Sequence, residues 1–214
     1  AGYLFSTYAL ANQVTMVMTQ VPQPVQMIDL VARHRLSVTV LPPTLYVAML
    51  SCPNFGTSDL RCVTKLGTWA STIPKSMIDG WKQAAPSSRF FSVQGSSEST
   101  ASLLTGGWVD GWEQMPNQDG RWVGRLASVA ADVRLVDDDG NDVADGESGE
   151  QIVRGPVIMK GYYKNDEVNR RVFRDGWFHT GDILFRDAAG NYFFADRKKD
   201  MIKTGGENVY CQEV

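Results

Sequence analysis

A change of period near Gly106 divides this chain into two kinds of sequence and limits the folds open to it. Before Gly106, β-branched and aromatic runs alternate with stretches at helical spacing. Residues 24–35 place Val25, Ile28, Val31 and Ala32 close to helical spacing, and residues 37–41 (SVTVL) predict a strand stopped by Pro42 and Pro43. Residues 44–50 predict a helix and residues 62–66 a second strand. Residues 74–84 predict a helix with Pro at its start and Met77, Ile78 and Trp81 on one side, and residues 89–93 (RFFSV) a third strand. Strands separated by helices predict an α/β layer: a parallel sheet with right-handed crossovers.

After Gly106 helical periodicity fades. The run VRLVDDDGNDV sets Asp-Gly-Asn-type turn residues between β-rich flanks, a hairpin signal, and ILFRDAAGNYFFA is a second hairpin turned at Gly190-Asn191. Between them GEQIVRGPVI reads as a strand, and residues 166–173 as a brief helix. A small antiparallel barrel or sheet is the economical reading of residues 120–195.

Bulk properties bound the function. The 214 residues suffice for one good-sized core, or a core plus a small lobe. A net charge of −3 without a long block of one sign gives no basis for a nucleic-acid partner, and no apolar run approaches the ~18 residues of a membrane span. Three cysteines (Cys52, Cys62, Cys211) without CxxC spacing favour a reducing, cytoplasmic setting over a disulfide framework or a zinc site. The opening AGYLFSTYAL has neither a charged start nor an initiator Met, so it reads as the interior of a larger domain.

The residues that could carry chemistry concentrate between Gly176 and Tyr210. In Thr180-Gly181-Asp182, an ionised Asp only accepts hydrogen bonds, and its two oxygens can take both vicinal hydroxyls of a ribose. The plainer alternative is a turn, since Gly and Asp dominate turns. Arg197, fifteen residues later, offers a rigid fork of donors for ribose or phosphate oxygens, or else a structural salt bridge. A hairpin between the two would return both side chains to one edge of a nucleotide. The run Lys198-Lys199-Asp200 reads alone as a solvated face, and Gly205-Gly206 as a loop that tolerates close approach. Upstream, Gln94-Gly95-Ser96-Ser97-Glu98 follows the strand RFFSV; alone it is a Ser-rich loop with one carboxylate suited to a hard cation. His179 reads as a packing or surface histidine rather than a base.

Together these runs resemble the adenylate-forming superfamily, which comprises acyl- and aryl-CoA synthetases, luciferases and peptide-synthetase adenylation domains. Gln94–Glu98 is similar to its Tyr-Gly-x-Thr-Glu motif, with Gln94 in place of the aromatic and Ser97 in place of Thr. Residues 149–163 follow its GE-x-x-V-R-G-P…M-x-G-Y-Y run, taken as structural. The resemblance implies a fold class: part of a large N-terminal α/β domain (residues 1–197, with an α/β part to 118 and a β-rich, barrel-like lobe from 119), then the hinge and start of a mobile C-terminal domain (198–214). It implies that Asp182 and Arg197 hold ribose, that Ser97 and Glu98 serve phosphate and Mg²⁺ in catalysis, and that Ala70, Ser71 and Gln94 border adenine, with Gly95 and Ser96 in the same nucleotide loop. Lys199 takes the hinge position, and Gly205, Gly206 and Glu207 line the path of CoA. The implied substrates are ATP, CoA and a carboxylic acid, in the first instance a fatty acid. The superfamily's phosphate loop and C-terminal lysine have no match in the 214 residues, so a partial, inactive piece is expected. An adenylation domain serving a carrier protein, or a non-catalytic nucleotide-binding piece, stays open beside the ligase reading.

Overall fold

The computed structural model describes residues 2–69, 72–99, 102–126, 130–200, 202–204 and 207–209; of 2–5, 102, 202–204 and 207–209 the backbone alone is described. It divides into two compact units, residues 1–92 with 107–120, and residues 93–106 with 121–214.

The first unit is the α/β part. After α1 (Gly2–Ala11) come α2 (Pro24–His34), β1 (Val38–Val40), α3 (Pro43–Leu50), β2 (Lys65–Trp69) and α4 (Lys75–Ala84), and β3 (Arg89–Gly95) begins here. Pro24 opens α2, where its missing N–H costs nothing, and Arg35 ends it in the left-handed region (φ 48°). As the spacing predicts, α2 buries Ile28 and Val31 and α4 buries Met77, Ile78 and Trp81; α2 buries Met27 as well, whereas Val25, expected on the same face, is 46% exposed. Trp81 is fully buried, edge-on to Tyr46 and Phe55, and donates its indole N–H to the Tyr46 carbonyl at 3.3 Å. β1 and β2 pair in parallel, Val38 opposite Lys65 and Val40 opposite Gly67. The second strand therefore starts three residues later than residues 62–66 predict. Thr64 and Lys65 both donate backbone N–H groups to the Ser37 carbonyl, and pairing begins only there.

The second unit is antiparallel throughout. Its strands run β3, β4 (Ser102–Thr105), β5 (Trp122–Leu126), then β10 (Tyr192–Arg197), β9 (Trp177–Arg186), β7 (Ser148–Arg154) and β6 (Asp132–Val136), with β8 (Phe173–Arg174) on β9. Leu103, Leu104, Leu135, Val153, Phe178 and Leu184 form its core. α5 (Asp166–Val172) is capped by Asn165, whose side chain accepts from the Val168 N–H.

Two turns share one design. In Asp137–Asn141 and in Asp187–Asn191 the aspartate carboxylate accepts the backbone N–H of the asparagine (2.9 and 2.8 Å), and the glycine between takes positive φ (87° and 81°). The second joins β9 to β10 as the sequence predicts. The first turns the chain equally well, but its return segment makes an isolated bridge, Val136–Asp142, with the Val143 N–H on the Leu135 carbonyl, and the strand paired along β6 is β7. Further on, β11 (Ile202–Thr204) and β12 (Glu207–Val209) pair with Thr204 opposite Glu207.

Candidate nucleotide site

The second unit assembles the cluster that the sequence singles out. Asp182 lies on β9 and Arg197 ends β10, and the antiparallel register sets them directly opposite each other. Cross-strand partners approach within reach of a side-chain pair, and the Arg197 Nε lies 2.8 Å from Asp182 Oδ1. That approach is a charge contact and not a directed hydrogen bond, because Oδ1, though buried, accepts none. Gly181, at φ 73°, turns the backbone just before Asp182, and its carbonyl accepts the N–H of Lys198 at 2.8 Å. The Thr180 hydroxyl donates to the Gln151 carbonyl (2.8 Å) and accepts from the Asp182 N–H (3.1 Å), pinning the turn to β7.

The other carboxylate oxygen is taken. Gln94, near the end of β3, donates from Nε2 to Asp182 Oδ2 at 3.1 Å and to Gln151 Oε1 at 2.8 Å, and accepts from Gln151 Nε2 at 3.3 Å. Burial pushes the Asp182 carboxyl up from its ordinary value. Arg197 and Gln94 oppose that shift, and the negative charges of Glu98 and Glu150 add to it.

Glu98 sits in a one-turn 3-10 helix, Ser97–Ser99, and is half-buried. Tyr162 donates its phenol to Glu98 Oε1 at 2.8 Å, and the Met159 N–H donates to the Glu98 carbonyl at 2.7 Å. Asn169 in turn holds the Tyr162 N–H and carbonyl at 2.7 and 2.9 Å. Burial alone would raise Glu98; the hydrogen bonds from Tyr162, its own N–H and Ser96, together with the Arg197 charge, outweigh it and hold the carboxyl low. The run Met159–Tyr163, read from sequence as structural, thus also braces the carboxylate expected to serve Mg²⁺. Gly95, Ser96 and Ser97 are exposed around that turn.

A second buried carboxylate lies across the same strands. Glu150, which precedes Gln151 on β7, takes Lys198 Nζ at 2.9 Å, and Lys198 also reaches Asp138 at 3.1 Å. His179 Nδ1 lies 3.2 Å from Glu150 and 2.7 Å from Arg174 Nη2. A guanidinium only donates, so the shorter contact makes Nδ1 an acceptor with the ring proton on Nε2; the Glu150 approach becomes a hydrogen bond only when the ring is protonated. Burial pushes Glu150 up, but Lys198, joined by His179 when its ring is protonated, outweighs it and the carboxyl titrates low. Glu150 and Lys198 border a cleft of about 220 Å³ with Arg134, Arg174, Trp177 and His179.

Of the remaining expected residues only some are described. Ala70 and Ser71 lie outside the described residues, directly after strand β2, which ends at Trp69. Gly205 and Gly206 also lie outside the described residues, and Glu207 begins β12. Lys199 is exposed in the turn after β10. Among the described residues no helix is long and apolar enough to cross a membrane.

Comparison with known proteins places this chain in a family. A family model described as AMP-binding enzyme matches residues 1–163. The chain is 32% identical over its whole length to a medium/long-chain-fatty-acid–CoA ligase, FadD8, of Mycobacterium tuberculosis, of which it covers 36%. It is 31% identical to an indoleacetate–CoA ligase of Aromatoleum aromaticum over 87% of this chain and 35% of that protein. Among solved structures, the anthranilate CoA ligase AuaEII in complex with anthranoyl-AMP superposes with a TM-score of 0.79 at 25% identity, covering 92% of this chain and 36% of that one. The o-succinylbenzoate CoA synthetase of Bacillus subtilis, bound to ATP and magnesium, superposes at 0.76 with 22% identity over 96% of this chain and 41% of that one, a likeness of fold. The chain thus spans little more than a third of the curated relatives it matches. With most of its length matched by the family model and all of it aligned to a ligase, this chain belongs to the AMP-binding enzyme family.

Proposed function

We propose that the Asp182–Arg197 cluster holds the ribose of ATP in an AMP-forming acid–CoA ligase. The observation that carries the reading is a buried carboxylate with one oxygen left without a hydrogen bond, facing an arginine on the next strand. A buried acceptor without a donor is costly, and a vicinal diol supplies two donors for such a carboxylate. Arg197, its side chain half-exposed, keeps further N–H groups for ribose or phosphate oxygens.

Around that anchor, Ser97 offers a hydroxyl to phosphate, and Glu98, held ionised, is the residue that would hold Mg²⁺, whose charge would offset that of the phosphates. Ala70, Ser71 and Gln94 border the base, Lys199 is the pivot of a following domain that starts at 198, and Gly205, Gly206 and Glu207 line the CoA path. The reaction is attack of an acid carboxylate on the α-phosphorus, with pyrophosphate leaving. The CoA thiol then displaces AMP from the mixed anhydride. The protein's share is positioning and charge stabilisation. The relatives' names cover fatty and aromatic acids; a fatty acid is the first choice.

ATP–pyrophosphate exchange by the full gene product that carries this chain, against fatty, short-chain and aryl acids, tests the reading. Exchange with one acid class that Asp182→Ala abolishes is the expected result. Exchange that survives Asp182→Ala undiminished would sink it.

A further inference from the structure

The Gln94–Gln151 pair has no part in the role read from sequence, where Gln94 alone borders the base. Both side chains are buried, Gln151 completely. A buried primary amide is expensive unless every N–H and its oxygen find partners. Here the two amides face each other, Nε2 of each to Oε1 of the other at 2.8 and 3.3 Å, and the second proton of Gln94 goes to Asp182 Oδ2 at 3.1 Å. The carboxylate only accepts, so the nitrogen end of Gln94 faces it, and that choice fixes which way round both amides lie. Both protons of Gln94 Nε2 are thereby spent inside the protein. Two apolar side chains would fill the same space without this cost. What the amides add is one hydrogen bond on one oxygen of the carboxylate whose other oxygen, buried beside Arg197, accepts none.

We propose that Gln94 and Gln151 form a positioning pair: Gln94 sets the plane of the Asp182 carboxylate so that Oδ1 meets the sugar diol, and Gln151 sets Gln94. Gln151 then governs sugar recognition without touching the nucleotide. The proposal rests on the ribose reading of Asp182.

The test compares binding of AMP and of 2′,3′-dideoxyadenosine monophosphate to the full gene product that carries this chain by calorimetry, for wild type, Asp182→Ala, Gln94→Leu and Gln151→Leu. Wild type prefers AMP by on the order of 10–100-fold, the worth of one or two hydrogen bonds to a charged group. Asp182→Ala abolishes the preference. Gln151→Leu shrinks it to about threefold or less while the dideoxy affinity stays within about twofold, a split that mere loss of structure does not produce, since that weakens both ligands together. A preference unchanged in both glutamine variants overturns the pair and leaves the ribose reading standing. Equal affinities in wild type overturn the ribose reading itself, and the pair with it. A second measurement uses no glutamine variant. The Gln94 side-chain amide resonance should follow the titration of Asp182 in wild type and lose that step in Asp182→Asn; a resonance that ignores Asp182 overturns the proposal.

Discussion

Asp182 and Glu150 stand on neighbouring strands, are equally buried at 6% exposure, and each meets a cation from the same dipeptide, Arg197 for one and Lys198 for the other. Successive side chains of a strand point to opposite faces, so Gln151 joins the Asp182 side while Glu150 faces Lys198 and His179. Yet the two acids titrate in opposite directions, Asp182 above its ordinary value and Glu150 below. The difference lies in what surrounds the charge. Glu150 has an ammonium at hydrogen-bond distance and an imidazole beside it, and is fully compensated. Asp182 has a neutral amide, a guanidinium that is half in solvent, and an oxygen with nothing donated to it. On the proposed reading the compensated acid is a structural clasp and the under-compensated one is the ligand's anchor.

The largest effect expected from this contrast is on binding. Asp182→Ala should weaken AMP binding by about 100-fold or more, each hydrogen bond to a charged acceptor being worth about 1.5–3 kcal/mol, while Glu150→Gln should leave it within about twofold. Calorimetric affinities for both variants decide it, and equal losses would erase the distinction between clasp and site.

Stability should show the reverse order. Glu150→Gln removes the charge that Lys198 compensates and should cost about 1–2 kcal/mol, less than a fully buried pair because Lys198 is partly exposed. Asp182→Asn removes a charge that burial disfavours and should stabilise the ligand-free chain by up to about 1 kcal/mol. Urea unfolding at neutral pH measures both. The same sign for the two variants would show that the acids are not in opposite states.

Acid unfolding sharpens the point. Glu150, lowered from 4.5, contributes stability that is complete above 4.5 and lost as pH falls through its folded value. Asp182, raised from 3.8, carries a penalty at neutral pH that is relieved as pH falls through its folded value toward 3.8. Glu150→Gln should therefore flatten the fall in stability on acidification, and Asp182→Asn should steepen it. Denaturant midpoints measured between neutral pH and pH 3 give the two slopes; slopes that move the other way would reverse the assignment of signs.

How much of this was legible in the sequence follows the reach of each interaction. The pairing of Asp182 with Arg197 was legible because only a hairpin separates them and its Gly190-Asn191 turn fixes the register. The amphipathic α2 and α4 were legible because helical periodicity is local. The bracing partners were not. Tyr162 meets Glu98 across 64 residues, and Gln94 meets Gln151 across 57, so no local pattern marks either. Glu150 and Gln151 sat within GEQIVRGP, where a polar pair in a strand looks like an exposed face, although both are buried. The turn at Asp137–Asn141 misled in a different way: its chemistry matches that of Asp187–Asn191, but turn residues specify a reversal and not the partner of the strand that enters it.

The smallest test exchanges the cations. Lys198→Gln leaves Glu150 buried with His179 at 3.2 Å and Arg174 at 3.9 Å, so the clasp is weakened and not emptied, and the loss should be about 0.5–1 kcal/mol. Arg197→Gln removes a partner whose side chain is 52% exposed and whose contact with Asp182 is undirected, so the change should stay below about 0.5 kcal/mol. The two residues are adjacent in sequence and opposite in face. If Arg197→Gln proved the more damaging to the ligand-free fold, Asp182 would be a structural pair like Glu150, and its open oxygen would no longer single it out.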